Sequence, residues 1–262
     1  MTYGTSVLSL NGVNTTRPPS ASISGGLQDL YDGYDYGNPR WHQLAAKAKA
    51  RNLLDLVANL APRTALDVGA GDGSVMAALC EQGFRGELSA VEISPRNVEA
   101  IKQRGLVQLK AADLFDGYSI PYRDKAFDLV IASHVLEHVE HERLFLSELK
   151  RVARYVFIEV PLESTIRLPR DYRQTNTGHI NFYSFASLRR LLQTSGLRVL
   201  QQRLYDIPLE IVGFRNWPLG LMKFSLRRGA MLVSPTLASK VFTYHCCALC
   251  VGDGGASEGT RG

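Results

Sequence analysis

Between Ser133 and His141 the chain reads SHVLEHVEH, which places three imidazoles and two carboxylates within nine residues. His134, Glu137 and His138 spell H-x-x-E-H, the order in which some peptidases hold zinc on two imidazoles of one helical face beside a carboxylate base. The same side chains suit proton transfer, since an unperturbed imidazole titrates near ~6.5 and can take a proton at neutral pH. A fourth histidine follows in GHINFYS, Gly178 to Ser184. There His179, Asn181 and Tyr183 can present a base with hydrogen-bonding partners, or anchor a loop before the next helix. The run HCCALC adds His245 with Cys246, Cys247 and Cys250, but it lies in an apolar stretch that reads as a strand, so these residues are expected to fill the core rather than hold zinc. Metal centre, acid/base site and structural turn all stay open on residue type alone.

A glycine loop supplies the next constraint. LDVGAGDGS, Leu66 to Ser74, follows a predicted strand and opens a predicted helix, so Gly69, Gly71 and Gly73 fall where open parallel sheets bind nucleotides, outside the carboxyl ends of the strands. Glu92 ends the next strand, 19 residues past Gly73. A carboxylate there can accept both hydroxyl protons of a ribose. The third glycine of the dinucleotide fingerprint G-x-G-x-x-G would stand at position 74, where the chain has Ser74. A cofactor with an adenosine and no phosphates fits this outline better than a dinucleotide.

The elements needed to position these groups are legible. Short β-rich runs alternate with helical patterns, which predicts an α/β fold: a Rossmann-like, mostly parallel seven-stranded sheet with helices on both faces. Helices are expected from about Pro39 to Leu60, from Ser74, over SPRNVEAIKQRG with Ser94 as cap and Pro95 at its first position, near His141 to Ala153, and over SFASLRRLLQTSG. Strands are expected at TALDVG, ELSAVEI, LVQLKAAD, FDLVIAS, YVFIEVP, Arg198 to Tyr205, and VFTYHCCALCV. Residues 1–26 and 252–262 are polar and glycine-rich and read as mobile tails around one domain, 27–251, in which 209–240 is a cap-like insertion of helical character.

Composition narrows the function. The 262 residues are 45% hydrophobic, ample for a core, and carry a formal charge of +5. Residues 1–162 hold 17 Lys+Arg against 19 Asp+Glu, and 163–262 hold 13 against 6. The basic second half can attract an anionic partner, but without a long Lys/Arg block nucleic acid is not an expected one. Four cysteines do not suggest a secreted disulfide framework, and there is neither a signal-like start nor a long apolar run. A soluble, cytoplasmic protein is expected; nothing in these residues sets its oligomeric state.

In order, LDVGAGDG, VEIS, AADLFD and FDLVIASHVLEHV resemble the four motifs of class I S-adenosylmethionine-dependent methyltransferases of the small-molecule type, a likeness that covers roughly Asp29 to Val251. The resemblance implies S-adenosyl-L-methionine as cofactor. It places Asp67, Gly69, Ala70, Gly71 and Gly73 along the methionine half, Glu92 on the ribose, Ile93 on the adenine face and Asp113 with Leu114 at the adenine edge. Ser133 joins the cofactor wall, and LYDGYDYGNPRWH resembles a segment folded over the cofactor, with Tyr31, Tyr34 and Tyr36 as a lid. His134 then sits at a strand exit, which disfavours the peptidase reading.

Expected on this basis is O-methylation of a small-molecule hydroxyl, with His134 as first base, Glu137 and His138 reacting or fixing the helix, and His179 reacting or anchoring its loop. The small-RNA 3′-end methyltransferases carry an E-x-x-E-H constellation and a later histidine around a divalent ion. This chain departs at the first position, His134, which makes magnesium less secure and a nitrogen-loving metal more plausible. A metal-assisted RNA 2′-O-methyltransferase and a non-catalytic scaffold of the same fold are the alternatives. The insertion mixes Phe214, Trp217, Leu219 and Met222 with Arg215, Lys223, Arg227 and Arg228. It can cap an anionic or sugar-containing acceptor, lie on a membrane surface, or pack as a plain amphipathic helix.

Overall fold

The computed structural model describes residues 37–166 and 178–252. Strands β1 (Thr64–Val68), β2 (Glu87–Glu92), β3 (Leu109–Leu114), β4 (Phe127–Ser133), β5 (Ala153–Pro161), β6 (Leu197–Tyr205) and β7 (His245–Gly252) form one sheet in the order β3-β2-β1-β4-β5-β7-β6. Strands β1 to β5 pair in parallel, and β7 enters antiparallel between β5 and β6. The strand order reverses at β1 and β4, so their carboxyl ends open a crevice. The glycine loop leaves β1 there, and SHVLEHVEH leaves β4 beside it.

Alternation along each strand decides which helix covers which face. Leu66, Val68, Val130, Ala132, Val156 and Ile158 pack with helices α4 (Glu142–Val152) and α5 (Phe185–Thr194). Ala65, Ala90, Leu129, Ile131, Phe157 and Leu249 pack on the other face with α1 (Pro39–Val57), α2 (Ser74–Glu81) and α3 (Pro95–Gln103). Cys246 and Cys250 point to the first face and Cys247 to the second, all three buried, as expected of core residues.

One expected boundary moves, and one expected cap makes no bond. The run from Val241 becomes a strand only at His245, because Ser234 caps the Leu237 N–H and Pro235 opens a helix, α8 (Pro235–Val241), that consumes its start. Ser94 occupies the cap position of α3 without a side-chain cap bond, and its hydroxyl is buried without a hydrogen-bond partner among the described residues. The fixed φ of Pro95 starts that helix instead. The insertion is helical, as expected: α6 (Leu209–Val212), α7 (Trp217–Val233) and α8. Its anchor is Arg227, buried, which donates to Asp206 Oδ1 at 2.8 and 2.5 Å and to the Thr243 carbonyl, and lies over the Tyr244 ring. That side chain is therefore not available to an anionic acceptor; Trp217, Leu219 and Met222 remain exposed. Among the described residues no helix is long and apolar enough to cross a membrane.

Candidate active site

The crevice is a cavity of about 400 Å³. At its β1 end Gly69, Gly71 and Gly73 all take positive φ, which L side chains rarely adopt. Gly69 also has no room for a side chain: a Cβ there would stand 2.7 Å from Val135 Cγ2. The turn after β4 thus presses on the glycine loop. Asp72 locks the loop from outside, accepting from Ser74 N–H and Oγ–H and from Arg104 Nη2 at 2.6 Å, with His42 of α1 at 3.2 Å. Although burial alone pushes its carboxyl up, these partners hold it well below the usual carboxylate range.

Glu92 is 5% exposed and fully oriented: Oε2 accepts the Gly71 N–H at 2.8 Å, and Oε1 accepts those of Ile93 and Ser94 at 3.0 and 3.3 Å. Burial raises its pKa, opposed by these bonds. Asp67, buried beside it, is pushed up to about 7, by burial first and by Glu92 second. Asp67, Gly69, Ala70, Gly71, Glu92, Ile93 and Ser133 all line the cavity. Gly73, Asp113 and Leu114 do not. Asp113 instead accepts from Tyr122 Oη at 2.7 Å, Leu114 is 49% exposed, and Phe115, Gly117 and Tyr118 supply the wall there. The β3 run carries one residue further than its apolar pattern suggests, so the chain turns into the cavity only after Leu114. Tyr31, Tyr34 and Tyr36 lie outside the described residues.

The other end holds the histidines. His134 leaves β4 with φ +59°, sparsely populated for a residue with a Cβ, and its N–H is tied to the Glu159 carbonyl at 2.8 Å. Its Nε2 lies 3.4 Å from His245 Nδ1, which lies 3.1 Å from Glu159 Oε1. Burial drives the His134 pKa well below the ordinary value, so the ring is neutral at pH 7. Glu159 in turn accepts from Asn52 of α1 at 2.8 Å and from Ser133 Oγ at 2.6 Å. Burial pushes its carboxyl up, but the His245 hydrogen bond and the neighbouring imidazoles hold it well below the carboxylate range.

Glu137 and His138 sit not on an α-helix but on a 3₁₀ turn, Leu136–His138. The GHINFYS segment is stitched onto that turn: Ile180 and Asn181 N–H donate to the Glu137 carbonyl, Asn181 Nδ2 to the Leu136 and Val139 carbonyls, and Tyr183 Oη to Leu136. Asn181 and Tyr183 are therefore anchors. His179 is brought into the cavity, edge-on to His138 with ring centroids 4.7 Å apart. Asn52 and His245 line the cavity and Glu159 joins them from behind its wall, and the motifs announce none of the three. One sequence signal points to Glu159: a carboxylate inside the apolar run YVFIEVP must be paired if that strand is buried. His245 carries no comparable signal.

Comparison with known proteins adds the following. Residues 40–202 match a family model described as a methyltransferase domain. The chain is 33% identical over 96 residues to ajmaline N-methyltransferase of Rauvolfia serpentina, covering 35% of this chain and 33% of that one. It is 30% identical over 92 residues to malonyl-[acyl-carrier protein] O-methyltransferase of Halorhodospira halophila, covering 35% and 31%. The chain thus spans about a third of the length of these curated relatives. A crystal structure of a SAM-dependent methyltransferase from Aquifex aeolicus superposes with a TM-score of 0.52 at 17% identity, over 87% of this chain and 98% of that one. That likeness is one of fold.

Proposed function

As this chain belongs to the methyltransferase-domain family, we propose that it moves a methyl group from S-adenosyl-L-methionine to a hydroxyl of a small-molecule acceptor, with His134 taking the hydroxyl proton. S-adenosyl-L-methionine is the cofactor, and the residues present fit it. Glu92 is held by three N–H groups with its carboxylate at the wall, where a sugar diol can donate to it. Ile93, Phe115 and Tyr118 give an apolar face for a base, and Asp67 and the bare backbone of the glycine loop face the remaining end. When bound, the cofactor supplies a methyl on a positively charged sulfur that leaves as a neutral thioether with the electron pair of the broken bond.

The chain's own task is to hold the acceptor in line, keep water away and remove one proton. The observation that carries the reading is His134: a neutral imidazole at the strand exit, in the cavity wall, backed through His245 by a carboxylate that stays ionised. Burial, Lys49 and His245 disfavour a proton on His134, the field of Glu159 opposes them, and Glu137 Oε1 lies 3.1 Å from its Nδ1. Asp206, Ile207 and Pro208, just after β6, line the same cavity, and Ile211 is the one described residue of the 209–240 insertion that joins them. Lys49 is the single lysine of the lining, and no arginine is present among the described lining residues. A neutral hydroxyl or sugar-bearing acceptor suits that wall better than a strongly anionic one.

The test is transfer of labelled methyl from the cofactor into a metabolite extract, with fragmentation mass spectrometry to locate the label. Label on a hydroxyl oxygen is expected, and label confined to nitrogen would overturn the oxygen assignment. His134→Ala is expected to lower turnover by roughly 10²–10⁴-fold, the usual contribution of a general base, with cofactor affinity unchanged in a direct titration.

A further inference from the structure

Both carboxylate oxygens of Glu137 are buried and have no hydrogen-bond partner among the described residues. The residue is 0% exposed, and no position of this kind is tolerated without a reason, since an unpaired buried carboxylate loses all its hydration for nothing. His134 Nδ1 comes within 3.1 Å of Oε1, but outside the geometry of a hydrogen bond. Two imidazoles face the same point: one ligand atom each from Glu137, His138 and His179 lie within 4.8 Å of one another. We propose that Glu137, His138 and His179 bind a divalent transition-metal ion of the zinc class, with the remaining coordination positions open to the cavity.

The surroundings support this. His138 Nδ1 is 3.1 Å from the Gly178 carbonyl, and His179 Nδ1 is 2.5 Å from Glu163 Oε2. An acceptor behind Nδ1 fixes the ring and its tautomer and makes Nε2 a better ligand, the arrangement usual for metal-bound imidazoles. The three ligands are also held in place before any ion arrives, because the Ile180 and Asn181 N–H groups tie the His179 segment to the carbonyl of Glu137 itself. One carboxylate with two imidazoles selects a borderline ion such as Zn²⁺ over Mg²⁺ or Ca²⁺, which prefer all-oxygen sites. Three protein ligands leave a place for a further one, as in catalytic rather than structural zinc sites.

A second trio, His134, Glu159 and His245, also has its ligand atoms within 4.8 Å of one another. Its carboxylate is already satisfied by Asn52, Ser133 and His245, so it has no such demand. The role of the ion, though not its binding, rests on the proposed methyl transfer. Lying beside His134, it would hold the acceptor oxygen and make its proton easier to remove.

The test uses the full chain, stripped with chelator and free of cofactor, titrated calorimetrically with zinc chloride and, separately, magnesium chloride. One zinc per chain is expected, with magnesium much weaker. Glu137→Gln should weaken zinc binding by at least ~10-fold, while His245→Gln leaves it unchanged. His179→Gln is the second variant if Glu137→Gln melts abnormally. Absence of zinc binding in the natural chain, or binding lost in His245→Gln and kept in Glu137→Gln, overturns the proposal. S-adenosylhomocysteine titrated into the same samples reads the transfer reading separately, since its failure to bind counts against that reading and leaves the metal result standing.

Discussion

Asp67 shows how one residue can report on the site. It is a carboxyl with a pKa pushed up to about 7 by burial and by Glu92, against an ordinary value near ~3.9 in the unfolded chain. Folding therefore takes up a proton at this position. The stability linked to it is fully present below about pH 4 and is lost as pH rises through ~7, amounting to at most about 4 kcal/mol. Glu92 slopes in the same direction, since its pKa is also raised. The cofactor-free protein should thus show a denaturant midpoint that falls between pH 5 and pH 8, and Asp67→Asn should flatten that fall. A midpoint equally steep in the variant would place the proton uptake elsewhere. Among the residues that line the cavity, those on contiguous motifs were readable from residue order: Asp67, Gly69, Gly71, Glu92, and the His134, Glu137 and His138 set. Glu159 and His245 were not, because the bond that makes them a pair joins residues 86 positions apart, and a sequence without its fold carries no such distance.

At the level of elements, the best-read segments are those with strong punctuation. FDLVIAS is a strand over the span its composition predicts, Phe127–Ser133, because β-branched and apolar residues alternate between two covered faces. The strand expected from Val241 is the opposite case: an apolar run with no internal punctuation fits helix and strand alike, and the serine–proline pair upstream decides for helix. The same logic separates the histidine turn from a zinc-peptidase helix, since only a 3₁₀ turn fits between the β4 exit and α4. The tightest junction between elements is the loop after β1 against the turn after β4. Gly69→Ala has to relieve both a φ of +70° and a 2.7 Å approach to Val135 Cγ2. It should cost roughly 1–3 kcal/mol of stability in chemical denaturation. Cofactor binding should weaken with it, because Val135 follows His134 and moves the turn; Val135→Ala in the same chain should recover part of the loss.

Across the whole molecule, the doubly covered, mostly parallel sheet supplies the crevice, and the stretch after β6 adds Asp206, Ile207, Pro208 and Ile211 to its wall. Arg227 joins the two: its guanidinium ties Asp206 at the end of β6 to the Thr243 carbonyl just before β7, and its own carbonyl accepts from Tyr244 Oη. Breaking a buried ion pair from one side leaves the other charge uncompensated. Arg227→Met should therefore lower stability by roughly 3–5 kcal/mol in denaturant unfolding. It should raise the KM for the acceptor more than it changes cofactor affinity, because Asp206, Ile207, Pro208 and Ile211 line the cavity away from the motifs proposed to hold the cofactor. Unchanged stability would mean that the cap does not depend on this pair.

The account as a whole depends on an adenosyl cofactor lying along the β1 loop with its sugar on Glu92. Calorimetric titration of the full chain with S-adenosylhomocysteine, in parallel with Glu92→Gln and with NAD, tests this most directly. One site per chain is predicted, weakened roughly 10–100-fold by Glu92→Gln, as expected for a charge-assisted hydrogen bond worth ~1.5–3 kcal/mol, with no heat from NAD. Binding that ignores Glu92→Gln, or a chain that takes up NAD and not S-adenosylhomocysteine, would contradict it.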